Sequence, residues 1–156
     1  MPVIHLTTIV HAPVDRVFDL SRNIALQRKS LQGQRETIIN GKTSGLLQMG
    51  EEITWQTKRL GKAWTLRLQT ARLEMHSFFE EIMLNGDFSK LSHQRHFKSM
   101  ANGTVMIDLF QFEQTGSWGK SLKQLFYIKY WRQLLEKRNE LIKSVAESDK
   151  WMHFLN

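Results

Sequence analysis

Residues 92–112 of the chain read SHQRHFKSMANGTVMIDLFQF. Polar and apolar side chains alternate on both sides of Asn102-Gly103, a dipeptide typical of two-residue turns between antiparallel strands. The stretch therefore predicts a β-hairpin in which every second side chain faces the protein interior. This hairpin decides the fold, because the face that it turns to the interior sets which side of the neighbouring strands is buried.

The turn also predicts the register of the hairpin. If Asn102-Gly103 forms the turn, Ala101 pairs with Thr104, and Arg95 lies opposite Phe110 and diagonal to Asp108. One face then carries His93, Arg95, Phe97, Met106, Asp108, Phe110 and Phe112. We expect this face to be the concave one, with Arg95 and Asp108 either paired with each other or anchoring a ligand.

The two histidines of the quoted stretch, His93 and His96, are three residues apart. On a helix this spacing places two possible metal ligands on one side, but on a strand the two side chains point to opposite faces. The hairpin prediction therefore argues against a metal site, and we expect neither a bound metal nor a cofactor.

The segments before the hairpin predict strands and short helices. Residues 3–11 are rich in β-branched side chains, which is typical of a strand. Pro13 predicts the start of a short helix, and Ser21 or Asn23 the start of a second one. Residues 31–50 predict a loop or a short strand around 37–39. Alternating runs separated by Gly and Asn-Gly turns predict an antiparallel meander with strands over 51–59, 63–75, 78–84, 88–99 and 104–113.

A long helix is predicted after the glycines at 116–119, reaching residue 149. Its inward stripe, at spacings of three and four, consists of Ile128, Trp131, Leu135, Arg138, Ile142 and Val145. The whole order predicts an α+β fold in which a curved antiparallel sheet wraps around the C-terminal helix. We expect one domain over 1–149 and an apolar tail over 150–156. A curved sheet does not follow a straight helix everywhere, so a ligand cavity is expected between them.

Composition limits the class of protein. The chain has 156 residues, 41% hydrophobic and 24% charged, which suits one globular domain. It has no cysteine, no recognisable leader and no apolar run of membrane-spanning length, so we expect a cytoplasmic protein. The net charge is +7, and residues 120–150 contribute +4 of it from eight basic and four acidic residues. We interpret this as the solvated face of the long helix.

Several short motifs occur in an order that resembles the SRPBCC superfamily of START-like and birch-pollen-allergen-like domains. They are APVDRVFD at 12–19, RNI at 22–24, TSGL at 43–46, GEEITW at 50–55, the strand at 93–97 and GTVMID at 103–108. The resemblance covers about residues 3–147 and implies the helix-grip fold. Within the superfamily, the chain resembles a subfamily of uncharacterised ligand-binding proteins. The superfamily also includes polyketide cyclases and dehydratases. By the same resemblance, Trp55 and Glu81 match a tryptophan and an acidic position of similar sequences.

Together these observations predict a site for a hydrophobic small molecule of lipid-like, polyketide-like or aromatic character. The candidate cavity residues are Trp55, Glu81, His93, Arg95, Phe97, Asp108, Phe110, Phe112 and Trp131. The first alternative is a cyclase- or dehydratase-type enzyme with His93 as the acid or base, assisted by Asp108 or Glu81. The second is protein or RNA binding through the basic helix. We expect a small molecule, and not nucleic acid, to be the partner.

Overall fold

The computed structural model describes residues 1–33, 36–59, 61–116 and 120–155. The strands of these residues are β1 Val3–Val10, β2 Glu36–Gly41, β3 Glu52–Arg59, β4 Lys62–Glu74, β5 Phe78–Asn85, β6 Phe88–Met100 and β7 Gly103–Gln114. The helices are α1 Val14–Ser21, α2 Ile24–Ser30, α3 Lys120–Ala146 and α4 Trp151–Leu155. The glycine-containing segment 116–119, after which the long helix is predicted, includes residues 117–119, which lie outside the described ranges.

The strands form one antiparallel sheet in the order β1-β7-β6-β5-β4-β3-β2. The predicted meander is the central part of this sheet, and β2 occupies the segment predicted as a loop or a short strand. Strand β1 closes the sheet on the other side by pairing with β7. The fold prediction is therefore confirmed: an antiparallel sheet curves around a long C-terminal helix, with two short helices after the first strand.

The helices begin where local chemistry favours a start. The side chain of Asn23 caps α2 by accepting a hydrogen bond from the backbone N–H of Leu26 at 3.0 Å. The predicted stripe of α3 faces the sheet, and from Trp131 onward all of its members are buried. None of the helices in the described ranges has both the length and the apolar character needed to cross a membrane.

The C-terminal tail forms the short helix α4, which packs on the domain. The side-chain amide of Asn23 donates a hydrogen bond to the backbone oxygen of Phe154 at 2.9 Å. The guanidinium of Arg16 lies 4.1 Å from the centre of the Trp151 ring. These contacts cover part of the apolar surface of the tail.

Helix α3 packs against two separate apolar clusters. The first lies around Trp131, Leu134 and Leu135 and includes side chains from β1 and from β3 to β7. The second lies around Ile142 and Val145 and includes the buried side of α1. Between the two clusters, α3 carries the buried polar residues Arg138 and Asn139, which belong to the site described below.

The register of the β6–β7 hairpin differs from the predicted one. Met100 pairs with Gly103, so the loop consists of Ala101 and Asn102. Arg95 consequently lies opposite Asp108 rather than Phe110, and the predicted diagonal relation is wrong. The error shifts the pairing by two residues, which leaves each side chain on its predicted face. The predicted inward face is buried, and His96 lies on the opposite face of β6.

Gly103 explains this register. A Cβ atom at this position would lie 2.2 Å from the backbone oxygen of Val10, which belongs to the adjacent strand β1. The glycine is therefore needed inside the strand, where β1 and β7 approach each other closely, and not in the turn. The sequence pattern around Asn102-Gly103 does not carry this information.

We expect Gly103→Ala to lower the free energy of unfolding by about 2 kcal/mol or more, because the added methyl group meets backbone that cannot move without separating two strands. Urea denaturation measures the change. The control is Ser99→Ala, an exposed position of the same hairpin, where we expect a change within about 0.5 kcal/mol. Equal small effects of the two substitutions would contradict the close approach of β1 to β7.

Candidate functional site

A buried ion pair joins the two strands of the hairpin. The Nε of Arg95 donates to Oδ1 of Asp108 at 2.6 Å, and both side chains are 0% exposed. The Nε2 of His93 lies 2.7 Å from the same oxygen. Because β6 and β7 pair Arg95 directly with Asp108, the two charges meet across the strands without a ligand between them.

Asn139 connects this ion pair to α3. Its Nδ2 donates to Oδ2 of Asp108 at 2.6 Å, and its Oδ1 accepts a hydrogen bond from Nη2 of Arg95. The same Nδ2 lies 3.3 Å from Oγ1 of Thr8 on β1. The helix is thus bound to three adjacent strands through one side chain. We call Arg95, Asp108, His93 and Asn139 the charge cluster.

The pKa values in the charge cluster follow from burial and from the charges nearby. Burial alone would raise the pKa of Asp108, but the positive charge of Arg95 and the hydrogen bonds that the carboxylate accepts hold it well below its usual range. Asp108 therefore stabilises the fold above about pH 4, and this contribution is lost at lower pH. For His93, burial is the largest effect and lowers the pKa, although Asp108 opposes it. His93 is neutral at pH 7.

A cavity lies beside the charge cluster, between the sheet and α3. Its apolar walls are formed by Leu31, Trp55, Leu66, Leu68, Leu91, Phe110, Trp131, Leu134 and Leu135. Its polar lining consists of Glu81, His93 and Arg138, with Ser30 at the end of α2. The volume open to the centres of water molecules is about 20 Å³. Such a volume is enough for one or two water molecules.

The cavity contains buried groups whose hydrogen-bonding capacity is unused. Within the described residues, the guanidinium of Arg138 and the carboxylate of Glu81 make no hydrogen bond and no ion pair, although both side chains are buried. The indole N–H groups of Trp55 and Trp131 are also buried, and neither has a hydrogen-bond partner among the residues that the structure describes. Burial lowers the pKa of Arg138 to about 10, and the charge of Arg95 acts in the same direction. Arg138 thus remains positively charged at pH 7.

The nine predicted site residues fall into two groups. Those that line the cavity are Trp55, Glu81, His93, Phe110 and Trp131. Of the others, Arg95 and Asp108 lie behind His93 in the charge cluster. Phe97 packs with α1 in the second apolar cluster, and Phe112 packs against Phe88 and Tyr127. The sequence left two roles open for Arg95 and Asp108, pairing with each other or anchoring a ligand. In the structure the two side chains pair with each other.

Two important residues are missing from the prediction. The sequence places Arg138 on the inward stripe of the long helix but not in the site, and it predicts no role for Asn139. One feature of the sequence indicates that Arg138 is special: it is a charged residue, but the residues three positions before it and four positions after it on the helix, Leu135 and Ile142, are apolar. Asn139 gives no comparable signal, because its role depends on the distance between α3 and β7.

No metal site accompanies these residues in the described part of the chain. His93 faces the cavity, whereas His96 lies on the other side of β6, where its ring packs 4.8 Å from that of Phe78. No group of three or more His, Asp or Glu side chains in the described ranges is arranged to hold a metal ion.

Comparison with known proteins shows the fold. No protein-family model and no curated protein matches the chain. Among solved structures, TTHA0849 from Thermus thermophilus matches with a TM-score of 0.70 and 16% identity, over 93% of this chain and 99% of that one. Ara h 8.0201 matches with a TM-score of 0.63 and 12% identity, over 92% and 98%. Major latex-like protein 151 from Panax ginseng matches with a TM-score of 0.65 and 9% identity, over 94% and 98%. The chain therefore has the helix-grip fold that the SRPBCC resemblance implied.

The buried, neutral His93 predicts a loss of stability in mild acid. As the pH falls from about 7 to about 5, the unfolded chain takes up a proton at this histidine near its ordinary pKa of about 6.5, whereas the folded chain does so only at lower pH. The free energy of unfolding then falls by up to about 1.4 kcal/mol per pH unit from this residue. Urea denaturation across this pH range measures the slope.

The matched variants are His93→Gln and His96→Gln, on opposite faces of the same strand. We expect His93→Gln to flatten the slope and His96→Gln to leave it close to that of the wild type. If the His93→Gln protein keeps the wild-type slope, the histidine is not buried in its neutral form.

Proposed function

We propose that this protein binds a mostly apolar small molecule with one uncharged polar group, in the cavity between the sheet and α3. The observation that carries the proposal is that Arg138 and Glu81 are buried against this cavity and make no hydrogen bond within the described residues. Fold alone does not set function, which depends here on these groups and on the lining of the cavity.

The lining supports an apolar ligand. Leucine and aromatic side chains form most of the wall, and the polar groups are confined to Glu81, His93, Arg138 and Ser30. Small-molecule sites usually combine such a wall with a few polar groups that orient the ligand. We infer that the apolar body of the ligand lies along the leucines, with its polar group near Arg138.

The unused donors support an occupant with a hydrogen-bond acceptor. A buried polar group without a partner costs about 1–3 kcal/mol, and more for a charged group. Within the described residues, the indoles of Trp55 and Trp131 are such donors. The guanidinium of Arg138 lines the same cavity and makes no hydrogen bond there. A carbonyl or hydroxyl oxygen would satisfy one or more of them, and a hydroxyl proton would be accepted by Glu81.

Charge balance supports an uncharged polar group. The charge of Arg95 is offset by Asp108, and that of Arg138 by the carboxylate of Glu81, while His93 is neutral. An additional charge of either sign would therefore be buried without an opposite charge, which is costly. Alcohols, ketones and phenols fit the site better than fatty acids or amines.

The small volume of the cavity implies that it expands on binding. About 20 Å³ does not admit a lipid-like or aromatic molecule. The side chains between the end of α2 and α3, Leu31 and Leu134, are the ones that we expect to move outward. In this proposal the protein is a cytoplasmic ligand-binding member of the SRPBCC superfamily.

A second candidate function is acid–base catalysis on the bound molecule. His93 lines the cavity, and Asp108 lies 2.7 Å from its Nε2, which favours the tautomer with the proton on that nitrogen. The Nδ1 lone pair is then available, since this nitrogen makes no hydrogen bond within the described residues. A cyclase or dehydratase reaction of a hydroxy-ketone would use such a base.

The proposed function is tested by titrating 1-decanol, decanoate and decylamine against the protein. The signal is the intrinsic tryptophan fluorescence, to which Trp55 and Trp131 in the cavity wall contribute. We expect saturable binding of the alcohol, at least about tenfold tighter than that of either ion. Glu81→Gln should increase the relative affinity for decanoate, because it leaves the charge of Arg138 without an opposite charge. Arg138→Gln should weaken binding of the alcohol about tenfold, through the loss of a charged donor.

The control is Arg132→Gln, a partly exposed position of the same helix that does not line the cavity. It should bind all three compounds like the wild type. Absence of saturable binding by any of them would contradict the proposed function. Mass spectrometry of a hydroxy-ketone after incubation separates the two candidates: an unchanged mass favours binding alone, and loss of water that disappears in His93→Gln favours catalysis.

A further inference from the structure

The first two turns of α3 expose large apolar side chains. Leu122 is 78% exposed, Leu125 is 64% exposed and Phe126 is 53% exposed. Their spacing of three and four residues places all three on one side of the helix. Met1 is 62% exposed and lines a crevice beside the helix with Gln124, and the lining of this crevice also includes Glu113 and Gln114. We call Leu122, Leu125 and Phe126 the apolar patch.

The same part of α3 is positively charged. Residues 120–135 contain Lys120, Lys123, Lys129 and Arg132 and no acidic residue, and the first carboxylate of the helix is Glu136. Lys123 and Lys129 are exposed, and Lys129 follows the patch one turn later on the same side. Within the described residues, neither Lys123 nor Lys129 takes part in an ion pair.

We propose that the apolar patch and the basic residues around it dock on the surface of an anionic lipid bilayer. The leucines and the phenylalanine would enter the boundary between headgroups and acyl chains, and the lysines would lie among the lipid phosphates. This combination is typical of helices that bind in the membrane interface. The docking goes beyond the proposed ligand-binding function and does not depend on it.

Charge and polarity argue against the other occupants of such a surface. A second copy of the chain would bring its own basic segment against this one, and like charges oppose that contact. Nucleic acid would satisfy the lysines, but its phosphates give no reason for large aliphatic side chains at the centre of the patch. An anionic bilayer matches both the charge and the apolar surface.

Aromatic contacts connect the apolar patch with the cavity wall. The ring of Phe126 stacks on Tyr130, with 6.0 Å between ring centres and an angle of 9° between the planes. Tyr130 packs edge-on against Trp131 at 5.3 Å, and Trp131 lines the cavity. Docking would therefore place one wall of the cavity close to the bilayer.

Vesicle flotation tests the proposal, with vesicles of phosphatidylcholine, of phosphatidylglycerol and of an equal mixture. The wild type should float with the two preparations that contain phosphatidylglycerol, and added salt should weaken the binding. Leu122→Ser combined with Leu125→Ser should weaken it at least about tenfold. Lys123→Glu combined with Lys129→Glu should weaken it at least about fivefold for each lysine. All four positions are exposed, so the variants should fold like the wild type.

The control is Met75→Ser, which removes an apolar side chain that is 54% exposed, close to the 53% of Phe126, in the turn between β4 and β5 near α1. It should float like the wild type. The proposal is overturned if the wild type does not bind phosphatidylglycerol vesicles, or if the leucine variant binds them undiminished. It is also overturned if sedimentation in the absence of lipid shows a dimer that the leucine variant dissociates, or if RNA binds at this segment while lipid does not.

Discussion

The ion pair between Arg95 and Asp108 is the interaction on which the rest of the structure depends. Both charges are fully removed from water, so each requires hydrogen bonds from groups held in place by the fold. These come from His93 on the same strand as Arg95 and from Asn139 on α3. The hairpin register and the position of the helix over the sheet are therefore coupled. A shift of either would leave a buried charge without a partner.

The charge cluster also determines how the interior is divided. It contacts α3 at Asn139, between the residues of α3 that belong to the apolar cluster around Trp131 and those that belong to the cluster around Ile142. On the side of the first cluster, Arg138 and Glu81 are turned to the cavity instead of to each other or to the charge cluster. This asymmetry is the physical basis of the proposed ligand site. Arg95 binds Asp108 and Asn139 through two of its nitrogens, and its Nη1 has no hydrogen-bond partner among the described residues. Arg138 makes no hydrogen bond with any of these residues.

The fold and the buried face of the hairpin were predictable from the sequence, because both follow from periodicity. Alternation places His93, Arg95, Phe97 and Asp108 on one face of the hairpin. This holds in both the predicted and the observed register, because the two differ by two residues. The register itself was not predictable, since it depends on the contact of Gly103 with Val10, a residue ninety-three positions away. Periodicity also leaves open whether Arg95 and Asp108 bind each other or a ligand; the structure pairs them directly, and neither lines the cavity.

The polar residues of α3 show a different limit of sequence analysis. The position of Arg138 on an apolar stripe indicates burial but does not show whether a carboxylate is near enough to bind it. Only the geometry shows that Asp108 is occupied by Arg95, His93 and Asn139, and that Arg138 has no hydrogen-bond partner within the described residues. The five predicted residues that line the cavity remain predictions as ligand contacts.

The most direct test of this account is a crystal structure of the protein with bound 1-decanol. The account predicts density for the alkyl chain between Trp55, Trp131 and the leucines of the wall, with the hydroxyl group near Arg138 and Glu81. The charge cluster should be unchanged. An alcohol bound elsewhere on the protein, or an Arg138 side chain paired with a carboxylate in a closed cavity, would contradict it.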